Sequence, residues 1–365
     1  MRSALEGAAV RVASSMNPQN LSNTLWAFAT LGWQVGEGEM RSALERAAVR
    51  VAPSMNGQDV GIILWASATL GWQSAEGQMR SALEGAAVRI SPSMNSQGLA
   101  NTVWALATLR WQPGELEMRP ALARAAVRVA PSMKAQEVAN TLWALATLCW
   151  QAGEAAMRSA LEGAAMRVAP SMKAQHIANT LWALATLGWK PSAALSMCLK
   201  DLVVPLFADG RGSRLPVPHL SQLLQAHLAT QILGLELITL PPPILELALE
   251  AYRKEAQKVS VSSAQREVGA SLHRLGMAYQ LEYLTADGLF SIDAAIVDRR
   301  IAVEYDGPSH FTRNTLEPLG HTRLRDQLLS AIGWHVVSIP FFEWERLHGT
   351  AKQDAYVDRR VQALY

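Results

Sequence analysis

Tryptophan recurs every 39 residues through the first half of the chain, at Trp26, Trp65, Trp104, Trp143 and Trp182. Met1, Met40, Met79, Met118 and Met157 keep the same period, and so do Trp33, Trp72, Trp111, Trp150 and Trp189. A fixed period of this length, held over five units without an insertion, predicts stacked supersecondary units. No single unit can bury its own apolar face, but a stack can. The expectation is an all-α solenoid of helical hairpins over residues 1–190.

Each unit reads as two helices. In the first, Leu5, Ala8, Ala9 and Val12 fall at helical spacing between Arg2 and Ala13. Pro53, Pro92, Pro131 and Pro170 follow this first helix in four units and break it. The second helix opens near Asn17-Pro18, a cap followed by proline at the first helical position, and ends near Gly32. It is apolar nearly all round, so neighbours must cover it. Small residues flank the first tryptophan column, which makes core the leading expectation for it and base stacking the alternative.

Two columns carry candidate binding chemistry. Arg11, Arg50, Arg89, Arg128 and Arg167 form an arginine ladder with no acid four residues before it; Arg46 and Arg124 stand there in two units. Such a ladder can track a phosphate backbone, or it can be a solvated face. The column Asn20, Asp59, Gly98, Glu137 and His176 differs in every unit while its surroundings repeat. Its polar members can hydrogen-bond a base edge, as in helical repeats that read one base each, or can be tolerated first-turn residues. A further arginine column (Arg2, Arg41, Arg80, Arg158) is followed four residues on by glutamate and can neutralise itself.

Composition permits a nucleic-acid partner without requiring one: the formal net charge is +2 and charged residues are 18%. Cys149 and Cys198 form no metal-ligand spacing, and no apolar run is long enough to span a membrane. Met1 sits at a repeat position, so the chain reads as a piece of a longer protein. No targeting segment is visible in it.

Residues 191–260 lose the repeat and read as a helical cap and connector, with helices over Leu220–Leu235 and Ile244–Gln257. From 261 the pattern becomes α-β-β-β-α-β. It has a helix over Val261–Leu275 and strands over Met277–Thr285, Leu289–Val297 and Arg300–Asp306. A helix over Leu319–Ile332 and a last strand over Trp334–Pro340 complete it. Alternation puts Glu304 and Asp306 on one strand face and Tyr305 on the other. With Asp293 they predict a crowded set of carboxylates that needs a cation or a proton.

This order resembles the PD-(D/E)xK core, a restriction-endonuclease-like α/β fold in which such carboxylates hold Mg²⁺ or Mn²⁺. Asp306 stands where that motif has lysine, and His310 lies where related very-short-patch-repair-like nucleases use a histidine as base or acid. Glu267 is placed to complete the site. Residues 261–348 resemble the RAP domain more closely. The likeness is carried by Gln265-x-Glu267-Val268, Phe290-Ser291-Ile292-Asp293, the run Ile301 to Phe311 with its Asp-Gly-Pro-Ser-His-Phe, and Leu324-Arg325-Asp326-Gln327-Leu328-Leu329 before Gly333-Trp334. The repeats, with Ala139-Asn140-Thr141-Leu142-Trp143, are similar to those of octotricopeptide-repeat and FAST-kinase-like proteins. The resemblance implies a multidomain RNA-binding protein of mitochondria or chloroplasts, divided at 1–190, 191–260 and 261–365. It would act on organellar mRNA or rRNA in processing, stability, rRNA maturation or translation, beside other RNA-processing proteins. A metal-dependent endoribonuclease and a protein-binding scaffold are the alternatives.

Overall fold

The computed structural model describes residues 2–33, 38–72, 77–150, 155–208, 215–256 and 261–363. Met1, the side chain of Arg2 and Gln257, which figure in the expectations above, lie outside the described residues. Five helical hairpins follow one another: α1 (Arg2–Ala13) with α2 (Pro18–Thr30), α3 (Glu39–Val51) with α4 (Gly57–Thr69), and α5 (Gln78–Ile90) with α6 (Ser96–Thr108). Then come α7 (Met118–Val129) with α8 (Ala135–Thr147), and α9 (Ala155–Val168) with α10 (Ala174–Leu187). The second helices pack on one another in a row, each on the next, and the first helices form the other layer.

Local chemistry ends each helix where the repeat demands. The prolines after the first helices sit inside short 3-10 turns such as Ala52–Ser54. Asn17, Asn56 and Asn95 cap the second helices with their side-chain carbonyls. At the other end a left-handed residue closes each second helix: Gly32, Gly71, Arg110, Cys149 and Gly188, with φ between 48° and 64°. The following tryptophan then donates its backbone N–H five residues back, as in Trp33 to Phe28 (2.9 Å) and Trp111 to Leu106 (2.8 Å). That is a Schellman closure whose apolar partner is the second tryptophan column. Trp72, Trp111, Trp150 and Trp189 are buried, and Arg41, Arg80, Arg119 and Arg158 lie over them at 5.6–6.0 Å.

The first tryptophan column departs from the leading expectation. Only Trp182 is fully buried; Trp65, Trp104 and Trp143 are half-buried, and Trp26 is 50% exposed. Small neighbours pack the helices tightly enough to exclude the indole from between them, so it lies at the edge of the layer.

Three helices lead onward: α11 (Ala193–Ala208), which the sequence pattern does not announce, α12 (Val217–Leu233) and α13 (Pro242–Ala256). Then α14 (Ser263–Arg274) precedes a four-stranded sheet in the order β1 (Gln280–Leu284), β2 (Ser291–Ile296), β3 (Ile301–Asp306), β4 (His335–Pro340). The first two pairings are antiparallel, and β3 with β4 is parallel across α15 (Gly320–Ala331). The short α16 (Phe341–Trp344) and α17 (Thr350–Gln362) follow. The expected α-β-β-β-α-β order is present, each strand shorter than its expected span.

The sheet separates two cores. Ala295 pairs with Ala302 and faces the larger core, shared with α15, the connector and the hairpins. Ala294 with Val303 and Ile296 with Ile301 face a smaller one built with α14 and α17. The C-terminal unit rests on the ends of the hairpins: α15 packs on α8, α10 and α12. Arg313 N–H donates to the Arg110 carbonyl (2.8 Å), and Gln112 exchanges hydrogen bonds with Asn314 (2.9 and 2.8 Å) and donates to Glu317 (3.0 Å).

Candidate functional site

The arginine ladder has a task inside the protein. Arg50 Nη2 donates to the carbonyls of Ala13 and Met16 in the preceding hairpin (3.2 and 2.6 Å). Arg89 does the same to Ala52 and Met55, Arg128 to Ser91 and Met94, and Arg167 to Ala130 and Met133, all at 2.6–3.1 Å. These carbonyls stand where a first helix ends and its α-helical donors run out, the first of each pair keeping only a 3-10 bond from the methionine N–H. Each guanidinium therefore staples its hairpin to the one before, while the rest of the side chain stays at the surface. Arg11, in the first described hairpin, is exposed.

The variable column falls at the third residue of each second helix. Asp59 accepts from Asn56 N–H (3.1 Å) and from the Ser22 hydroxyl (3.1 Å) and is buried. Glu137 accepts from Lys134 N–H (2.8 Å), and His176 Nδ1 from Lys173 N–H (3.2 Å). Asn20 and Gly98 are reached through their own backbone N–H groups, which donate to Asn17 and Asn95. Capping accounts for much of what these positions do.

The carboxylates converge as the strand alternation predicts, on the face that looks to the larger core. Between them lies a guanidinium. Arg325, on α15, bonds Glu304 Oε2 at 3.2 Å, Asp306 Oδ1 at 3.0 Å and Asp326 Oδ1 at 2.8 Å. The Ser338 hydroxyl donates to Asp306 Oδ2. Asp293 accepts from Tyr305 N–H at 2.8 Å. His310 Nδ1 is 3.3 Å from Asp306 and 3.0 Å from the Thr322 hydroxyl. Glu267 does not join the group: it lies toward the smaller core and accepts from Trp344 Nε1 at 3.3 Å. Gln265, two residues earlier and on a different side of the helix, is the α14 residue near enough to lower Asp293, and its amide donates to Glu282 Oε1 at 3.4 Å.

Burial dominates the electrostatics. It pushes the Glu304 carboxyl well above the usual range; Arg325 opposes this, and Asp293 and Asp306 add to it. Burial likewise raises Asp293 and Asp326. Burial also pulls on Arg325, but its three carboxylate neighbours outweigh that and hold it charged. Glu304 Oε1 is buried without a hydrogen-bond partner, so one proton on Glu304 relieves the excess of negative charge. The His310 ring is pushed down by burial. Tyr252 on α13 lies close enough that burial, then Glu304, raises its hydroxyl pKa, so the connector covers this face.

This arrangement does not fit Mg²⁺ or Mn²⁺. Glu304 Oε2, both Asp306 oxygens and Asp293 Oδ2 are engaged by Arg325, Ser338 and Tyr305 N–H, which leaves too few free oxygens for a hard cation. Among the described residues no group of three or more histidine, cysteine, aspartate or glutamate side chains is disposed to hold a metal. Arg325, Asp326, Gln265, Ser338 and Tyr252 were not singled out as site residues by the sequence. Only Gln265 and the Leu324-Arg325-Asp326 run carried a signal, as parts of motifs. Both cysteines are free thiols, and no described helix is long and apolar enough to cross a membrane.

Comparison with known proteins bears on both halves. The profile of the Tbc2 translation factor, N-terminal domain, matches residues 5–189. That of the RAP domain matches residues 303–360, which overlaps the resemblance seen over 261–348. A RAP domain-containing protein, chloroplastic, from Oryza sativa subsp. japonica is 40% identical over 146 residues, which cover 37% of this chain. The match spans 22% of that relative's length.

Proposed function

Since the chain belongs to the family of the Tbc2 translation factor N-terminal domain and carries a RAP domain, we propose that it is an RNA-binding protein of an organelle. In this reading the hairpins form an α-solenoid that selects the RNA. The C-terminal unit, a restriction-endonuclease-like core with working boundaries at 261–365, holds the RNA without cutting it. The single observation that carries the reading is the joining of these two matches in one chain. Within organellar RNA metabolism, the family's description as a translation factor favours translation over RNA processing, mRNA stability or rRNA maturation. The rice relative's description favours the chloroplast over the mitochondrion. Other RNA-processing proteins are expected on the same transcripts.

Arg325 supports binding over hydrolysis, because it supplies the positive charge that a nuclease of this fold takes from a metal. The test is to crosslink and recover RNA with the chain from chloroplasts. A small set of transcripts enriched well above background is expected. Recovery no better than background, with stable protein partners instead, would turn the reading to a scaffold.

A further inference from the structure

One stripe of the second helices takes no part in the staples and caps and runs along the edge of the core. Every unit has glutamine at the second helical position: Gln19, Gln58, Gln97, Gln136 and Gln175, all exposed. Four residues on stand Asn23, Ile62, Asn101, Asn140 and Asn179, and seven on stands the first tryptophan column. Offsets of four and seven share one helix face. Among the described residues none of these amide side chains has a hydrogen-bond partner. The neighbouring position changes in every unit, yet the glutamine does not. A capping task explains the neighbour, and no internal task explains the glutamine.

We propose that this stripe is the surface on which single-stranded RNA lies, its bases read by the glutamine and asparagine amides and stacked on the tryptophan rings. This rests on the reading above and names the residues that perform it. An amide offers a donor and an acceptor together, which matches a base edge. An indole with one edge or face exposed, as in Trp26 and in part Trp65, Trp104 and Trp143, offers stacking surface to any base. Gln58 and Ile62 of one hairpin and Asn95, Gln97 and Asn101 of the next line a common groove of about 170 Å³. Gly61 and Gly98 also line it. Lys134 and Lys173 are exposed at the caps beside Gln136 and Gln175 and supply charge for phosphates. The nearby acids Asp59 and Glu137 are turned into their own helix caps.

A protein partner fits this stripe less well. Interface cores are apolar, and the stripe's only aliphatic member is Ile62. Exposure also falls along the array: Trp26 is half exposed, whereas Asn179 and Trp182 are buried and Trp182 donates to Gln225 of α12 at 2.7 Å. The open part therefore spans the first four hairpins, and α12 with α15 closes its end.

The experiment uses the full chain and a randomised single-stranded RNA pool. The wild type should enrich a short motif. Gln97→Ala should relax preference at one nucleotide by on the order of tenfold. Ile62→Asn should create a preference at another, and the triple variant Gln58→Ala, Gln97→Ala, Gln136→Ala should lose most affinity. Circular dichroism of these surface variants should match the wild type. A wild type that enriches a motif, with all three variants unchanged, overturns the stripe and leaves RNA binding standing. A wild type that binds no RNA overturns both. Loss of a copurifying protein, instead of RNA, on the triple substitution would assign the stripe to protein recognition and also overturn the proposal.

Discussion

Arg325 takes the place that the carboxylate spacing offers to a metal ion, and it fixes what nearby substitutions do. Arg325→Met would leave Glu304 and Asp306 buried, and Asp326 partly buried, without their cation, at a cost of about 3–5 kcal/mol, measurable by urea unfolding. Glu304 behaves in the opposite sense. Its carboxyl is raised in the folded protein, so its contribution is fully present below the ordinary glutamate pKa and is lost as pH rises toward the folded value. Glu304→Gln is therefore predicted to gain stability relative to wild type as pH rises from about 4.5. Parallel stability curves over that range would count against a protonated Glu304. Asp293, Glu304 and Asp306 were legible in the sequence because strand alternation fixes which side chains share a face. Arg325 was not, because a helix separated by a loop must fold back before it meets β3. Glu267 was misplaced for a related reason: two positions on a helix turn a side chain through about 200°, and the α14 residue on the side of Asp293 and Glu282 is Gln265.

At the scale of elements, the hairpins hold together through contacts that repetition alone could not reveal. The 39-residue period showed where helices start and stop, since caps, prolines and glycines recur with it. It did not show that the arginine ladder is tied to carbonyls one hairpin back. Arg89→Met should lose hydrogen bonds to two carbonyls, costing roughly 1.5–3 kcal/mol. Arg89→Lys should recover only part of that, because lysine lacks the planar fork. An unchanged melting temperature for Arg89→Met would show that the staple contributes nothing. The left-handed column makes the same point. Glycine closes three second helices, while Arg110 and Cys149 adopt that conformation in two of the units that meet the C-terminal unit. Arg110 donates from there to the Pro308 carbonyl, and the contact offsets a strain of about 1 kcal/mol. Helix α17 escaped sequence reading because only Tyr356, Val357 and Val361 of its thirteen residues are buried, too few for a visible apolar stripe.

At the scale of the whole molecule, the C-terminal unit is seated on the hairpins and closes one end of their amide-lined layer. The fit is tightest at Gly320, where a Cβ would lie 2.1 Å from the Ala146 carbonyl oxygen and 2.7 Å from Thr186 Cγ2. Gly320→Ala is predicted to cost about 1–3 kcal/mol and to raise amide exchange in α15 and at the end of α8. Unaltered exchange there would mean that the two parts do not rest on each other in solution. In the function proposed above, this assembly binds RNA and does not cut it. The most direct measurement titrates the purified chain against end-labelled single-stranded RNA, once in EDTA and once with Mn²⁺, and then runs the RNA on a denaturing gel. The account predicts saturable binding, equal in both conditions, weakening with salt, and full-length RNA throughout. Absence of binding, or Mn²⁺-dependent cleavage that disappears in an Asp293→Asn variant, would contradict it.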